Sequence, residues 1–375
     1  MRIAIVGPAH PLRGGGISSF NERLALHFQS EGYHVDIYSF SLQYPNFLFP
    51  GKSQYTDEPA PKNLNIFTKI NSVNPFNWYK VGKELREKKY DLLIVRFWMP
   101  FFAPCLGYIL KQVRKNKSSK IVCIADNIIP HEKRWGDKML IRFFLGKLDG
   151  CVTMSQSVMK DLKSIDPSIP TILADHPLYD NYGDKVPKGV ARQRLDIPAE
   201  DKILLFFGFI RRYKGLDMLL DALANERISQ IGVKLLIAGE FYGEKEYYLQ
   251  KIKELKLEDR VFLHTHFIAN AEVATYFSAS DAVVLPYRSA TQSGITQIAY
   301  HFDIPMIATD VGGLPELVKD GRVGWIVPSD EQGIALGIQK FYKDDISLNF
   351  IENIQKDKKK YSWEVFGHRI LSFLE

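Results

Sequence analysis

RIAIVGPAHPLRGGGISSFNERLALHFQSEGYHVDIYSF, residues 2–40, sets two strand-like runs around a glycine loop and a helix pattern. RIAIV (2–6) is a short apolar run with the length of a buried strand. GPAHPLRGGG follows as a loop, and SSFNERLALHFQSEGY then repeats apolar residues at Phe20, Leu24 and Phe28, the spacing of one helix face. HVDIYSF (34–40) returns to a strand pattern. Strand, glycine-rich loop, helix and strand make a βαβ unit.

The alternation continues through DLLIVRF (91–97), KIVCIADN (120–127) and GCVTMS (150–155). It breaks at ADHPLYDNYGDKVPKGVARQRLDIPAE (174–200), which is rich in Pro, Asp and Gly. It restarts with KILLFFGF (202–209), VKLLIAG (233–239), RVFLHTH (260–266), DAVVLPY (281–287) and IPMIATD (304–310). The expectation is an α/β chain of two Rossmann-like, doubly wound parallel-sheet domains facing a central cleft. Residues 1–177 form the first domain, 178–200 a linker, and 201–360 the second. A C-terminal amphipathic helix, 361–375, is free to pack back on the N-terminal domain.

Composition agrees. A chain of 375 residues with 46% hydrophobic and 25% charged residues has material for two cores and is too apolar for a disordered chain. Cys105, Cys123 and Cys151 are odd in number and sit in apolar runs, which suits buried thiols in a reducing compartment. No signal-peptide pattern opens the sequence, and FWMPFFAPCLGYIL (97–110) is too short and too interrupted by proline to span a bilayer. A cytoplasmic protein is expected, at the inner face of the membrane if it docks there.

The net charge is +6, with basic residues clustered at 111–120 and 131–147. No recognition helix or stacking motif accompanies them, so nucleic acid is not expected as a partner. In 131–147 the cations interleave with Trp135, Met139, Leu140, Ile141, Phe143, Phe144 and Leu145, a pattern suited to a peripheral contact with an anionic membrane or to a plain solvated helix.

Three loops carry chemistry. Gly14, Gly15 and Gly16 precede a helix start, where backbone N–H groups can approach an anion; a flexible turn fits the same residues. Arg211, Arg212 and Lys214 follow the first strand of the second half, and guanidinium and ammonium groups at a strand's carboxyl end suit a phosphate. TQSGITQ (291–297) opens a helix on Ser293, with Gly294, Ile295 and Thr296 supplying its first N–H groups. The helix end carries partial positive charge, and Gly294 presents no side chain to block a phosphate. Together these loops predict a diphosphate site.

At this point the chain resembles the retaining glycosyltransferases of family 4, of GT-B architecture. GGGISSFNERLALHFQSEGYHVDIYS, GFIRRYKGLDMLLDAL, LLIAGEFYG, VFLHTHFIANAEVATYFSASDAVVLPY and PMIATDVGGLPELVKDGRVGWIVP carry the resemblance over nearly the whole chain. It implies that the second domain binds a nucleotide-sugar, UDP- or GDP-linked, and the first holds a glycan or lipid-linked acceptor. Lys214 falls on the lysine that contacts the donor phosphates, and the donor side takes in Gly15, Gly16, Gly239, Phe267, Ile268 and 291–297, which include Thr291 and Gln292.

The sequence also departs from the family. Phe209 stands where an arginine is common, so Arg211 or Arg212 must substitute for it. Neither of the family's two glutamates is present; their positions fall near Ala290 and Ile298, and Gln297 offers a neutral amide instead. Asp126 stands where a histidine is common. It can orient a hydroxyl or stabilise positive charge at the anomeric carbon, or simply cap its turn. Asn127, His131, Glu132, His10 and Arg96 are further acceptor-side candidates.

The implied reaction transfers a sugar from a nucleoside diphosphate to an acceptor hydroxyl with retention, in envelope polysaccharide or lipid-linked glycan synthesis. Arg211, Lys214 and the Gly294 helix end would stabilise the leaving diphosphate, so no metal or cofactor is required. His264 and His266 flank one threonine in a strand, where structural roles dominate. A nucleotide-sugar epimerase of the same fold and a non-catalytic partner subunit are the alternatives.

Overall fold

Apolar runs become parallel strands buried on both faces because the crossover helices cover the sheet. The computed structural model describes residues 1–12, 16–45, 54–56, 59–129, 136–290, 293–343 and 347–375. It divides into two units, Met1–His176 with Ser362–Glu375, and Pro177–Tyr361.

The first unit runs β1 (Arg2–Val6), α1 (Ile17–Ser30), β2 (His34–Leu42), β3 (Asn65–Asn71), α2 (Pro75–Lys88), β4 (Leu92–Phe97), α3 (Ala103–Val113), β5 (Lys120–Ala125), α4 (Asp137–Leu145), β6 (Gly150–Thr153), α5 (Gln156–Ile165) and β7 (Thr171–Leu173). Its strand order is β3-β2-β1-β4-β5-β6-β7, parallel throughout. Ile3, Ile5, Leu93, Val95 and Ile121 are inaccessible, each contributing about 1.5–3 kcal/mol by burial. The order reverses beside β1, which pairs with both β2 and β4.

The second unit runs α6 (Lys188–Arg194), β8 (Lys202–Phe207), α7 (Leu216–Ala224), α8 (Glu226–Ile231), β9 (Val233–Ala238), α9 (Lys245–Glu254), β10 (Val261–His264), α10 (Val273–Ala279), β11 (Ala282–Leu285), α11 (Gly294–His301), β12 (Met306–Thr309), α12 (Leu314–Leu317), β13 (Gly324–Val327), α13 (Glu331–Lys343) and α14 (Ser347–Asp357). Its order is β10-β9-β8-β11-β12-β13, again parallel, reversing beside β8. The loops leaving β8 and β11 therefore part at the switch point, where open α/β sheets bind ligands.

Residues 178–200 are folded against the second unit. Within them α6 packs on α10, Val186 N–H donates to Ser278 Oγ at 3.0 Å, and buried Arg192 donates from Nε to the Ala279 carbonyl at 3.0 Å. The Pro/Asp/Gly composition marked irregular backbone, and these anchors make it part of the unit. The last helix, α15 (Trp363–Leu371), packs on α1 in the first unit. Its Trp363 and Phe366 rings meet Phe20 edge-on, with centroids at 4.9 and 5.5 Å.

Two expectations change. In 131–147 the apolar residues mostly serve the core: Ile141, Phe144 and Leu145 are buried, and Met139 is the apolar side chain left exposed among the described residues of that stretch. The strands β3, β7 and β13 are additional to the sequence reading. Each is a sheet edge; β7 has three residues and β13 four, and β3 has one buried residue, Ile70.

Candidate functional site

The loop after β8 is shaped by close backbone approach. Gly215 has φ 68°, and a Cβ there would lie 1.9 Å from the Pro286 carbonyl oxygen, so only glycine lets the β8 loop close on the β11 exit. Between β8 and Gly215, residues Arg212–Lys214 form a 3₁₀ turn. That turn is tied to the β11 loop by Arg288, whose backbone N–H donates to the Tyr213 carbonyl at 2.7 Å and whose Nη1 donates to the Arg212 carbonyl at 3.0 Å. Arg288 also grips Asp217 with two bonds of 2.7 Å. Burial would raise the Asp217 carboxyl, but the Arg288 bonds outweigh it and hold the group below its ordinary range.

Lys214 stands with its Nζ 5.9 Å from the centre of the Tyr287 ring. Its side chain is buried, and among the described residues no carboxylate lies within salt-bridge distance of its ammonium. Burial, reinforced by the Arg211 guanidinium, pushes it down to about 8. Its Nζ lies 3.1 Å from where a Cβ on Gly208 would stand, and the Ile295 Cδ1 lies 3.6 Å from the same point. Lys214 Nζ and the tip of the Ile295 side chain, on α11, therefore face the same spot beside Gly208.

Ser293 occupies the N-cap position of α11, with extended backbone angles, but its side chain does not cap the helix. Its Oγ instead pairs with the Tyr287 hydroxyl at 3.2 Å, and Thr296 Oγ1 donates to the Ser293 carbonyl at 2.6 Å. The expected side-chain cap is thus absent because Tyr287 competes for it. The helix start is left without a side-chain acceptor, beside an unpaired ammonium. The chemistry of that pair is anion binding.

Arg211 and Arg212 diverge. Arg211 lies over the Tyr242 ring at 4.0 Å and is close enough to depress Lys214, whereas Arg212 lies over Tyr247 at 4.8 Å and reaches Glu244 at 3.8 Å. Phe209 packs edge-on against Tyr242 at 5.6 Å. Gly239 backs the loop: a Cβ there would lie 2.3 Å from the Gly208 carbonyl oxygen. Phe267 and Ile268 follow β10, in the loop at its carboxyl end.

In the first unit, Arg96 at the end of β4 is buried and holds Asp126, just past β5, in a two-point ion pair of 2.6 and 2.5 Å. The guanidinium lies 4.0 Å below the Phe20 ring, and its Nη1 has no hydrogen-bond partner. Asp126 is thus a paired carboxylate. The Asn127 Oδ1 beside it is buried without a partner, and His10 donates its backbone N–H to Glu22 Oε1 at 2.7 Å.

Residues 188–360 match the family model "Glycosyl transferases group 1", and residues 14–172 match "Glycosyltransferase Family 4". The chain is a family 4 glycosyltransferase. It is 33% identical over 139 residues to the D-inositol 3-phosphate glycosyltransferase of Arthrobacter sp. (strain FB24), a match covering 36% of this chain and spanning only about a third, 33%, of that relative. Its fold is that of sucrose-phosphate synthase from Thermosynechococcus elongatus, with TM-score 0.75, 19% identity and coverage of 100% and 98% of the two chains. It is likewise that of Anabaena HepE in complex with UDP and glucose, with TM-score 0.71, 18% identity and coverage of 100% and 99%.

In this glycosyltransferase Gln297 sits one turn into α11, fully inaccessible, and both its Oε1 and Nε2 lack hydrogen-bond partners. A buried, unpaired carboxamide costs about 1–3 kcal/mol. Gly294 makes room for Tyr179, whose Cε2 would lie 3.0 Å from an added Cβ. Gly16 stands at the N-cap of α1, with φ 52°. His264 Nδ1 pairs with the Tyr276 hydroxyl at 3.1 Å, and burial, then His266, lowers its basicity. Gly15, His131, Glu132, Thr291 and Gln292 lie outside the described residues. The sequence reading missed Arg288 and Asp217. The basic residue directly after the strand run DAVVLPY was the available signal, but its partner is 71 positions away.

Proposed function

We propose that this glycosyltransferase moves a sugar from a nucleoside diphosphate donor to an acceptor hydroxyl, with the anomeric configuration retained. One observation carries the reading: the buried, unpaired Lys214 ammonium beside the uncapped start of α11. Breaking the glycosidic bond leaves negative charge on the diphosphate. Lys214, Arg211 and the first amides of α11 stabilise that charge as it develops, which is where catalytic binding energy is most effective. Asp126, fixed by Arg96, orients a sugar or acceptor hydroxyl in the first unit. The solved Anabaena HepE complex with UDP and glucose supports a UDP-linked donor, with GDP-linked sugars as the alternative. The acceptor is a lipid-linked or envelope glycan, met by a cytoplasmic enzyme at the inner face of the membrane, and no cofactor takes part.

The test is a thermal-shift panel of UDP, GDP, ADP and their sugar derivatives, because a ligand that binds only the folded state raises stability by mass action. One nucleotide class should give a large shift. Release of that nucleoside diphosphate with labelled sugar passing to an acceptor establishes transfer; labelled sugar recovered only as an isomerised nucleotide-sugar would refute it.

A further inference from the structure

Ser155, Ser293 and Ser362 each stand at a helix N-cap with extended backbone angles. The Ser155 Oγ accepts from the Val158 N–H at 3.3 Å, and the Ser362 Oγ accepts from the Val365 N–H at 3.2 Å. A serine at such a position caps its helix unless something else holds the hydroxyl. Ser293 does not cap α11; its Oγ is turned to the Tyr287 hydroxyl at 3.2 Å.

Tyr287 is held in place without help from that contact. Its side chain is buried, and its carbonyl accepts from Thr309 Oγ1 at 2.6 Å and from Ser329 Oγ at 2.9 Å. Its ring meets the Tyr213 ring edge-on at 6.0 Å. Backbone and ring are thus fixed by contacts that leave the hydroxyl free to act on Ser293. A second feature at the same place points to a ligand: the Lys214 ammonium, 5.9 Å from the centre of the Tyr287 ring, is buried with no carboxylate in salt-bridge distance among the described residues. A serine oxygen and a phosphate oxygen compete for the same amides at a helix start.

We propose that Tyr287 is a positioning residue for the transfer: its hydroxyl holds the Ser293 side chain off the start of α11 and keeps the first amides of that helix open to the donor diphosphate. The proposal rests on the diphosphate reading above and adds the residue that keeps the helix end available. If Ser293 served only to satisfy a buried phenol, diphosphate binding would be indifferent to the hydroxyl.

The experiment is titration of Tyr287→Phe with UDP and uridine, and with GDP and guanosine in parallel, beside amide exchange of the ligand-free protein over residues 294–297. Tyr287→Phe keeps the ring and its packing and removes the group that holds Ser293. The freed serine then caps the helix, and a serine cap is worth about 1 kcal/mol, or about fivefold. The diphosphate should bind about fivefold more weakly, the nucleoside equally well, and the helix-start amides should exchange about fivefold more slowly. Adding Ser293→Ala to Tyr287→Phe removes the competing oxygen and should recover both changes. Diphosphate affinity unchanged by Tyr287→Phe, or a loss that Ser293→Ala does not recover, overturns the proposal and leaves the transfer reading standing. If neither diphosphate binds the wild type, the transfer reading falls and exchange alone decides: slowing that Ser293→Ala reverses upholds the hold of Tyr287 on Ser293, and unchanged exchange removes it.

Discussion

Replacing Lys214 by Met separates the cost of the site from its use. Burial pushes the Lys214 ammonium from 10.5 to about 8, a difference of about 3 kcal/mol against the charged form. Below pH 8 the folded chain carries that cost. Between pH 8 and 10.5 the folded lysine gives up its proton while the unfolded one keeps it, so wild-type stability should climb through this window. Lys214→Met keeps the side chain's length and removes the charge. It should stabilise the ligand-free enzyme at pH 7 by up to about 3 kcal/mol, or about 6–12 °C for a unit of this size, and flatten the rise above pH 8. The same variant should lose nucleotide. A hydrogen bond to a charged group is worth about 1.5–3 kcal/mol, so UDP should bind about 10- to 150-fold more weakly. A hundredfold excess over the wild-type Kd, worth about 2.7 kcal/mol to the wild type, should then give the variant only about 0.3–1.4 kcal/mol. The assay is denaturation at pH 7 and 9.5, with and without UDP. A variant less stable than wild type at pH 7, or one with an undiminished UDP shift, refutes the reasoning.

The two arginines should behave differently: Arg211→Ala should weaken UDP binding about tenfold or more and leave uridine binding alone, while Arg212→Ala, already engaged with Glu244 and Tyr247, should change UDP binding by less than about threefold; titration calorimetry with both ligands decides. Gln297→Met removes two buried, unpaired polar atoms and should stabilise the free enzyme by about 1–3 kcal/mol in urea unfolding; a destabilised variant would show that the amide is satisfied in solution. Phe366→Ala empties a fully buried aromatic site against Phe20 and should cost about 3–5 kcal/mol in urea unfolding of the first unit. A loss under about 1 kcal/mol would mean that α15 is not docked there.

Periodicity in the sequence revealed the parts of the fold that depend on burial. Strands such as Leu92–Phe97 and Lys202–Phe207 are shielded on both faces, so nearly every residue had to be apolar, and the pattern is visible. Edge strands face solvent on one side and need no such run, which is why Asn65–Asn71 passed unnoticed. Lys214 and the Ser293–Gly294 helix start were legible because their type and position in a loop define them. Their environment was not. That Lys214 is buried beside Arg211 rather than beside a carboxylate depends on the folded loop, and that Asp126 is not a free carboxylate depends on Arg96, 30 positions away. Ser293 looked like a cap until Tyr287, six positions earlier, was brought alongside it.

The return of residues 362–375 to the first unit makes the second an insertion within it. During synthesis, Pro177–Tyr361 can finish folding while the first unit still lacks the helix that covers Phe20. The amino-terminal unit, though made first, is therefore the last to be sealed, and a ribosome stalled before residue 362 would hold a nascent enzyme with one unit closed and an aromatic face on the other still waiting for its cover.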